Sequence, residues 1–150
     1  MGARNLNELR AFQKARAFKL EVYRLIAQSA EAQSDWKFRS QLADAAASNE
    51  MNVREGFKRW VAGEMAHFLA YAVASLEEAV GRVQDGIDRK YFKEGDCRMA
   101  FELGEASEKT TMALHKSLRP FFRGNRGRSG PDSRPHRRRS DRSHGPKTPD

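Results

Sequence analysis

The sequence has little cysteine, no proline over most of its length and no long apolar run. Cys97 is the single cysteine, which excludes an intramolecular disulfide and a zinc cluster made of cysteines. No stretch approaches the roughly 18 apolar residues of a membrane-spanning helix. The first residues also lack the apolar core of a signal peptide. These absences predict a soluble cytoplasmic protein with no membrane partner.

Positive charge and proline are concentrated near the end of the 150-residue chain. Residues 1–118 contain 18 Lys and Arg against 17 Asp and Glu, whereas residues 119–150 contain 10 against 3 and all five prolines. No large apolar residue follows Phe122. A segment of this composition buries too little apolar surface to offset the entropy of ordering it. We therefore predict a folded domain over 1–118 and a disordered, basic Arg/Pro/Ser/Gly-rich tail over 119–150.

Helical periodicity covers nearly all of the first 118 residues, because apolar residues recur at spacings of three and four. It predicts helices over 7–30, 36–55, 61–89 and 95–118. The third has the most regular apolar stripe, formed by Met65, Leu69, Ala72, Leu76, Ala79, Val83 and Ile87. Four such helices with short loops form an up-and-down antiparallel bundle. No alternating strand pattern competes, so the predicted fold class is an all-α four-helix bundle.

Two helix ends are marked by their residue types. Ser34 and Asp35 precede the second predicted helix, and their side chains can accept a hydrogen bond from a free N–H of its first turn. Gly56 follows the last residue of that helix. Glycine readily adopts the left-handed conformation that often ends a helix. We therefore expect a side-chain cap at 33–35 and a left-handed cap at Gly56.

Candidate catalytic and metal-binding groups are few. Glu64-x-x-His67 has the spacing of half a di-iron site in a helical bundle, but the complete site needs a second such pair. His115 has Met112, not glutamate, three positions before it. There is no glycine-rich phosphate loop after a strand and no Ser-His-Asp arrangement. The sequence therefore predicts no enzyme, no bound metal and no cofactor.

Residues 41–92 carry a recognisable pattern. Its positions are Asn52, Glu55, Gly56, Phe68, Leu69, Ala72, Ser75 and Glu78. In these residues the chain resembles the small bacterial four-helix-bundle protein family, which includes proteins encoded by intervening sequences of 23S rRNA genes. Accessory proteins of diversity-generating retroelements are its relatives. The chain departs from the pattern in having no proline at 48–52, and in having Ala74 and Lys90 where the family has glycine.

The resemblance implies a non-enzymatic protein that forms a ring, a pentamer, and associates with nucleic acid. The wide apolar stripe of the first helix, together with Trp36, Trp60 and Phe92, also favours self-association, because one small bundle does not need so much apolar surface. Asn52 and Glu55 share a helix face. We interpret them as a capping network for the start of the third helix, and a contact with a partner subunit or RNA is the alternative.

Two groups of basic residues are candidates for nucleic-acid contact. Arg54, Lys58 and Arg59 alternate with Phe57 and Trp60, which suits phosphate pairing and base stacking. Ordinary solvated charges beside core aromatics are the alternative. The C-terminal group comprises Arg123, Arg126, Arg128, Arg134, Arg137, Arg138, Arg139 and Arg142. A flexible basic arm binds polyanions by counterion release with little sequence readout, and the alternative is a solubility tail without a dedicated partner.

The function predicted from these features is that of a non-enzymatic oligomeric bundle. It binds nucleic acid, RNA or DNA with RNA as the leading candidate, through its basic C-terminal arm and its oligomer surface. A protein-interaction scaffold is the alternative function, for example the accessory subunit of a retroelement reverse transcriptase. In that case the bundle surface recruits the enzyme and RNA contacts are secondary.

Overall fold

A computed structural model describes residues 3–122. Its helices are α1 (Arg10–Gln28), α2 (Ala30–Ser34), α3 (Trp36–Phe57), α4 (Ala62–Asp88) and α5 (Arg98–Phe122), with 3₁₀ turns at Leu6–Glu8 and Glu94–Cys97. Within the described residues there is no β-strand. The predicted all-α fold class is confirmed.

The four long helices form a bundle in which each helix contacts two neighbours. α1 packs against α3 and α5, and α4 packs against the same two helices. The connections are short, so consecutive long helices run in opposite directions. α3 and α4 begin and end within two residues of the predicted bounds, because regular apolar stripes define both.

The first predicted helix is interrupted at Ser29, which the periodicity did not indicate. α1 ends at Gln28, and the Ser29 hydroxyl accepts a hydrogen bond of 3.0 Å from the N–H of Ala32 in the short helix α2. Asp35 then caps α3, because its Oδ1 accepts a hydrogen bond of 3.1 Å from the N–H of Phe38. The cap predicted at residues 33–35 is confirmed at Asp35, and the break at Ser29 corrects the prediction of one continuous helix.

The last helix extends beyond the predicted end of the bundle at residue 118. α5 continues to Phe122 and includes Pro120. The proline ring fixes a helical φ at position 120, although it removes one N–H donor and crowds the carbonyl of the preceding turn. Residues 119–122 are therefore helical rather than part of a disordered tail. The helix also begins later than predicted, at Arg98, because the 3₁₀ turn precedes it.

Buried apolar side chains form two clusters along the bundle. The first contains Phe18 and Leu42, and the second contains Phe12 and Val53. On α3 two buried polar residues, Asn49 and Glu50, lie between the two clusters. The interior is therefore not uniformly apolar, and these two residues are part of the candidate site.

The apolar residues predicted to drive self-association differ in exposure. Trp36 is 70% exposed and Trp60 is fully exposed. Leu20 and Tyr23, which widen the stripe of the first helix, are exposed on α1. Phe92 is buried, because its ring packs into the first core cluster. The surface keeps several large apolar side chains, but the assignment of Phe92 to that surface is wrong.

Gly56 does not form the predicted left-handed cap. It lies buried in the last turn of α3, and none of the glycines in residues 3–122 has a positive φ. A methyl group added at Gly56 would lie 3.2 Å from Cβ of Phe68 and 3.3 Å from the carbonyl oxygen of Met65. Gly56 therefore suits the close approach of α3 and α4, because a larger residue would make these neighbours shift by a few tenths of an ångström.

Within residues 3–122 the left-handed residue lies instead at the end of α4. Lys90 has a φ of 65°, its N–H donates to the carbonyl of Ile87, and the N–H of Tyr91 donates to the carbonyl of Gly86. This pair of hydrogen bonds is the Schellman motif, which normally has glycine at the left-handed position. The resemblance also places glycine there, so lysine holds roughly 1 kcal/mol of backbone strain.

Candidate nucleic-acid interface

Arg54 lies in the seam between α1 and α3. Its guanidinium carbon is 5.0 Å from the centre of the Phe12 ring on α1. Its Nη2 also donates a hydrogen bond of 3.2 Å to Oε1 of Glu50, one turn earlier on α3. The side chain is therefore held by a ring on one helix and a carboxylate on the other.

Lys58 and Arg59 face a different part of the surface. Both pair with Glu55, at 3.3 Å and 3.6 Å, and the Arg59 guanidinium lies 4.7 Å from the Phe68 ring on α4. Trp60, which follows them, is fully exposed. The predicted cluster is therefore divided: Arg54 belongs to the α1–α3 seam, and Arg59 belongs to the α3–α4 seam.

Glu50 is the most unusual residue of the α1–α3 seam, because it is a carboxylate that is only 2% exposed. Three cations surround it: Lys19 and Arg16 from α1 and Arg54 from α3. Lys19 forms an ion pair with Oε2, and Nη1 of Arg16 lies 3.9 Å from Oε1. Three positive charges around one negative charge leave the cluster with a net charge of +2.

The pKa of Glu50 is shifted by two opposing causes. Burial raises the pKa of the carboxyl, but the hydrogen bonds from Lys19 and Arg54 and the charges of Lys19 and Arg16 lower it by more. The net pKa lies below the ordinary value of a glutamate. Glu50 is therefore ionised at neutral pH and anchors the three cations as an anion.

A second buried polar contact joins α3 to α5. Asn49 is fully buried, and its Nδ2 donates a hydrogen bond of 3.3 Å to Oγ of Ser107. Asn49 and Glu50 are not among the residues predicted from the sequence to have a role. A signal was present, because steps of three and four from Leu42 to Val53 pass through both positions.

Asn52 and Ser75, two residues of the family pattern, belong to a hydrogen-bonded group between α3 and α4. Nδ2 of Asn52 donates to the carbonyl and hydroxyl oxygens of Ser48, and the Ser48 hydroxyl lies 2.9 Å from that of Ser75 on α4. The predicted capping network is wrong, since the N-cap residue of α4, Val61, makes no side-chain cap hydrogen bond and Glu55 pairs with cations instead. The polar residues of α3 therefore contact the middle of α4 and not its first turn.

The other pattern residues pack or pair on α4. Leu69 and Ala72 are fully buried in the second core cluster, and Phe68 is half-buried against Gly56. Glu78 lies at the surface and accepts hydrogen bonds from Arg82, which also donates to Gln41 of α3. These positions hold α3 and α4 together.

The groups weighed for catalysis are not brought together. Glu64 and His67 are exposed on α4 instead of facing the bundle interior, where carboxylate-bridged metal sites lie. Cys97 is buried, and its burial raises the pKa of the thiol to about 11. Residues 3–122 contain no group of three or more His, Cys, Asp or Glu placed to hold a metal ion. No helix in this part of the chain is long and apolar enough to cross a membrane.

The C-terminal arginines predicted to bind nucleic acid lie outside the described residues. They are Arg123, Arg126, Arg128, Arg134, Arg137, Arg138, Arg139 and Arg142. Their role therefore stays a prediction, as does the disorder predicted for this segment.

The bundle and its seams define the class of protein, a small all-α bundle whose charged residues join neighbouring helices. A family model described as 23S rRNA-intervening sequence protein matches residues 7–113, and the chain belongs to this family. It is not a known enzyme family. A comparison with curated proteins found no match. The resemblance seen in the sequence is confirmed for the intervening-sequence type, whereas the relation to retroelement accessory proteins stays a prediction.

Proposed function

We propose that the protein is a non-enzymatic, self-associating four-helix bundle that binds RNA through its basic C-terminal arm and its oligomer surface. The observation that carries this proposal is the segregation of charge. Residues 1–118 are nearly neutral, whereas residues 119–150 contain 10 Lys and Arg against 3 Asp and Glu. Such an arm gains affinity for a polyanion by releasing its counterions. RNA is favoured over DNA because the family is described by its link to 23S rRNA.

The turn between α3 and α4 supports the same function. Trp60 is fully exposed there, directly after the basic residues Lys58 and Arg59. An exposed aromatic ring is a platform on which an unpaired base can stack, and neighbouring cations pair with the phosphates on either side. Glu55 neutralises part of this charge, so the turn is the smaller contribution.

Self-association is supported by the apolar surface that the bundle leaves open. Trp36, Tyr71 and Phe121 are each more than half exposed, in addition to Trp60. Such residues commonly form the buried centre of protein–protein interfaces. A pentamer, the assembly that the resemblance implies, brings five basic arms together, and linked weak contacts then give avid binding.

Sedimentation velocity of the intact chain measures the assembly. We expect a species larger than a dimer at micromolar concentration. Contact with another copy removes the exposed aromatic side chains from water, which favours association. A clean monomer would contradict the ring and its avidity.

Fluorescence anisotropy with a labelled single-stranded RNA oligonucleotide measures the binding. We expect the intact protein to bind at low salt, with an affinity that falls steeply as salt is raised, because counterion release supplies most of the free energy. A DNA strand of the same sequence is the matched probe, and it measures whether the protein distinguishes the two nucleic acids. Absence of RNA binding at low salt would overturn the proposed function.

A protein-interaction scaffold is the second candidate function. It is favoured by a groove of about 390 Å³ between α4 and the end of α5. The groove is lined by Gly63, Ala66, His67, Ala70, Tyr71, His115 and Phe122. Its small and aromatic residues suit an apolar segment of a protein partner, such as a reverse transcriptase, better than they suit a phosphate backbone. Failure of RNA binding would make this candidate the better account.

A further inference from the structure

Arg16 and Arg54 come from different helices and approach the same carboxylate oxygen. Nη1 of Arg16 lies 3.9 Å from Oε1 of Glu50, and Nη2 of Arg54 lies 3.2 Å from that atom. The two nitrogens are therefore within about 7 Å of each other. A phosphate oxygen accepts charge-assisted hydrogen bonds at about 2.7–2.9 Å. Because both guanidinium groups converge on one carboxylate oxygen, their remaining N–H groups can contact the oxygens of one phosphate on the solvent side of Glu50.

Together with Lys19, these two arginines bring three positive charges to the single negative charge of Glu50. Lys19 is the cation most deeply buried with it, since the Lys19 side chain is only 16% exposed. The side chains of Arg16 and Arg54 are 51% and 35% exposed. A guanidinium has five N–H donors, and the contacts with Glu50 use few of them. The seam therefore presents two positive charges and several N–H groups to solvent.

We infer that the α1–α3 seam binds the phosphodiester backbone of nucleic acid, with Arg16 and Arg54 as the phosphate ligands. This inference rests on the proposed function and adds a binding site on the bundle itself, separate from the C-terminal arm. Arg54 is already oriented by the Phe12 ring and by Glu50, so it loses little rotamer freedom when a phosphate binds. Its planar fork matches the oxygens of a phosphate.

The test is RNA binding by the full-length double variant R16Q/R54Q over a salt series, with the labelled single-stranded oligonucleotide as probe. Loss of the one phosphate that both arginines contact should lower the slope of log affinity against log salt by about 0.7, the value for each phosphate of a single strand. Between 50 and 200 mM salt the wild-type affinity should then fall about 2.6-fold more than that of the variant. The variant R16K/R54K should recover the slope, because it restores both charges without the forks.

The matched control is R24Q/R89Q, which removes the same total charge from two arginines of similar exposure. Each of these has a carboxylate partner of its own, Glu21 for Arg24 and Asp85 for Arg89. We expect this variant to keep the wild-type slope. Equal slopes for R16Q/R54Q and R24Q/R89Q would overturn the inference while leaving RNA binding intact. A wild-type protein that does not bind RNA would overturn the proposed function instead.

Inorganic phosphate at matched ionic strength separates a backbone site from a site for free anions. A backbone site needs the contacts on either side of the phosphate, so we expect inorganic phosphate to compete with RNA no better than chloride does. Displacement of RNA by low millimolar phosphate from the wild type, and not from R16Q/R54Q, would show a free-anion site and overturn the inference.

Discussion

Removal of residues 123–150 should leave the helix content and the melting temperature nearly unchanged while weakening RNA binding by orders of magnitude. We expect the core to need nothing beyond α5, because among residues 3–122 the last apolar residue packed against a core cluster is Leu118. The removed segment has nine Lys and Arg. A protein with six to ten phosphate contacts loses about 10³–10⁵ in affinity between 50 and 200 mM salt. Truncation should flatten that salt dependence by about 0.7 per lost contact.

Circular dichroism and fluorescence anisotropy measure the two halves of this prediction. A full-length chain with the nine basic residues of 123–150 changed to Gln is the matched control, because it keeps the length of the arm and removes its charge. It should bind RNA as weakly as the truncated chain. If the truncated protein binds RNA as tightly as the whole chain, the arm is a solubility tail. The seam and the turn at Lys58 and Arg59 would then carry the binding.

The helices were predictable where a long apolar stripe defines them. α3 and α4 follow their stripes almost residue by residue, because steps of three and four keep one face toward the neighbours. The break at Ser29 was not predictable from periodicity, since a single hydroxyl that caps α2 redirects the chain without changing the apolar pattern. Gly56 was misread for a related reason. Close approach of two helices and a left-handed cap both select glycine, and only tertiary structure distinguishes them.

The candidate site was predictable only in part. Arg54 lies within the last turns of α3 whereas Arg59 follows the end of that helix, so they contact different neighbours although they are close in sequence. The role of Glu50 depends on its ion pairs with Arg16 and Lys19, which lie on another helix more than 30 residues earlier. A buried charge depends on such distant partners, and local spacing does not show them.

Glu50 should be the side chain on which the stability of the bundle depends most strongly among its charged residues. We expect Glu50→Gln to lower the free energy of unfolding at pH 7 by about 3 kcal/mol, near the lower end of the cost of breaking a buried ion pair. The cost is at the lower end because the amide oxygen still accepts a hydrogen bond and two of the three cations can turn to solvent. Glu78→Gln is the matched control. Glu78 pairs with Arg82 but is 53% exposed, so its loss should cost less than about 1 kcal/mol.

The effect of Glu50 should also depend on pH in a definite direction. The pKa of Glu50 is lower in the folded protein than in the unfolded chain. The folded state therefore favours the ionised carboxylate over the protonated acid. Its stabilising contribution is therefore complete above the unfolded pKa of about 4.3 and is lost as the pH falls through the folded pKa. Wild type and Glu50→Gln should differ most at pH 7 and converge toward pH 3.

Urea unfolding at pH 7, 5 and 3, followed by circular dichroism at one protein concentration, measures this difference. The concentration must be fixed because self-association adds to the apparent stability. Convergence of the two proteins at low pH would show that ionised Glu50 stabilises the bundle through its three cations. A difference that stays constant from pH 7 to pH 3 would show that Glu50 contributes through packing alone. In that case the cations of the α1–α3 seam would be held in place by something other than its charge.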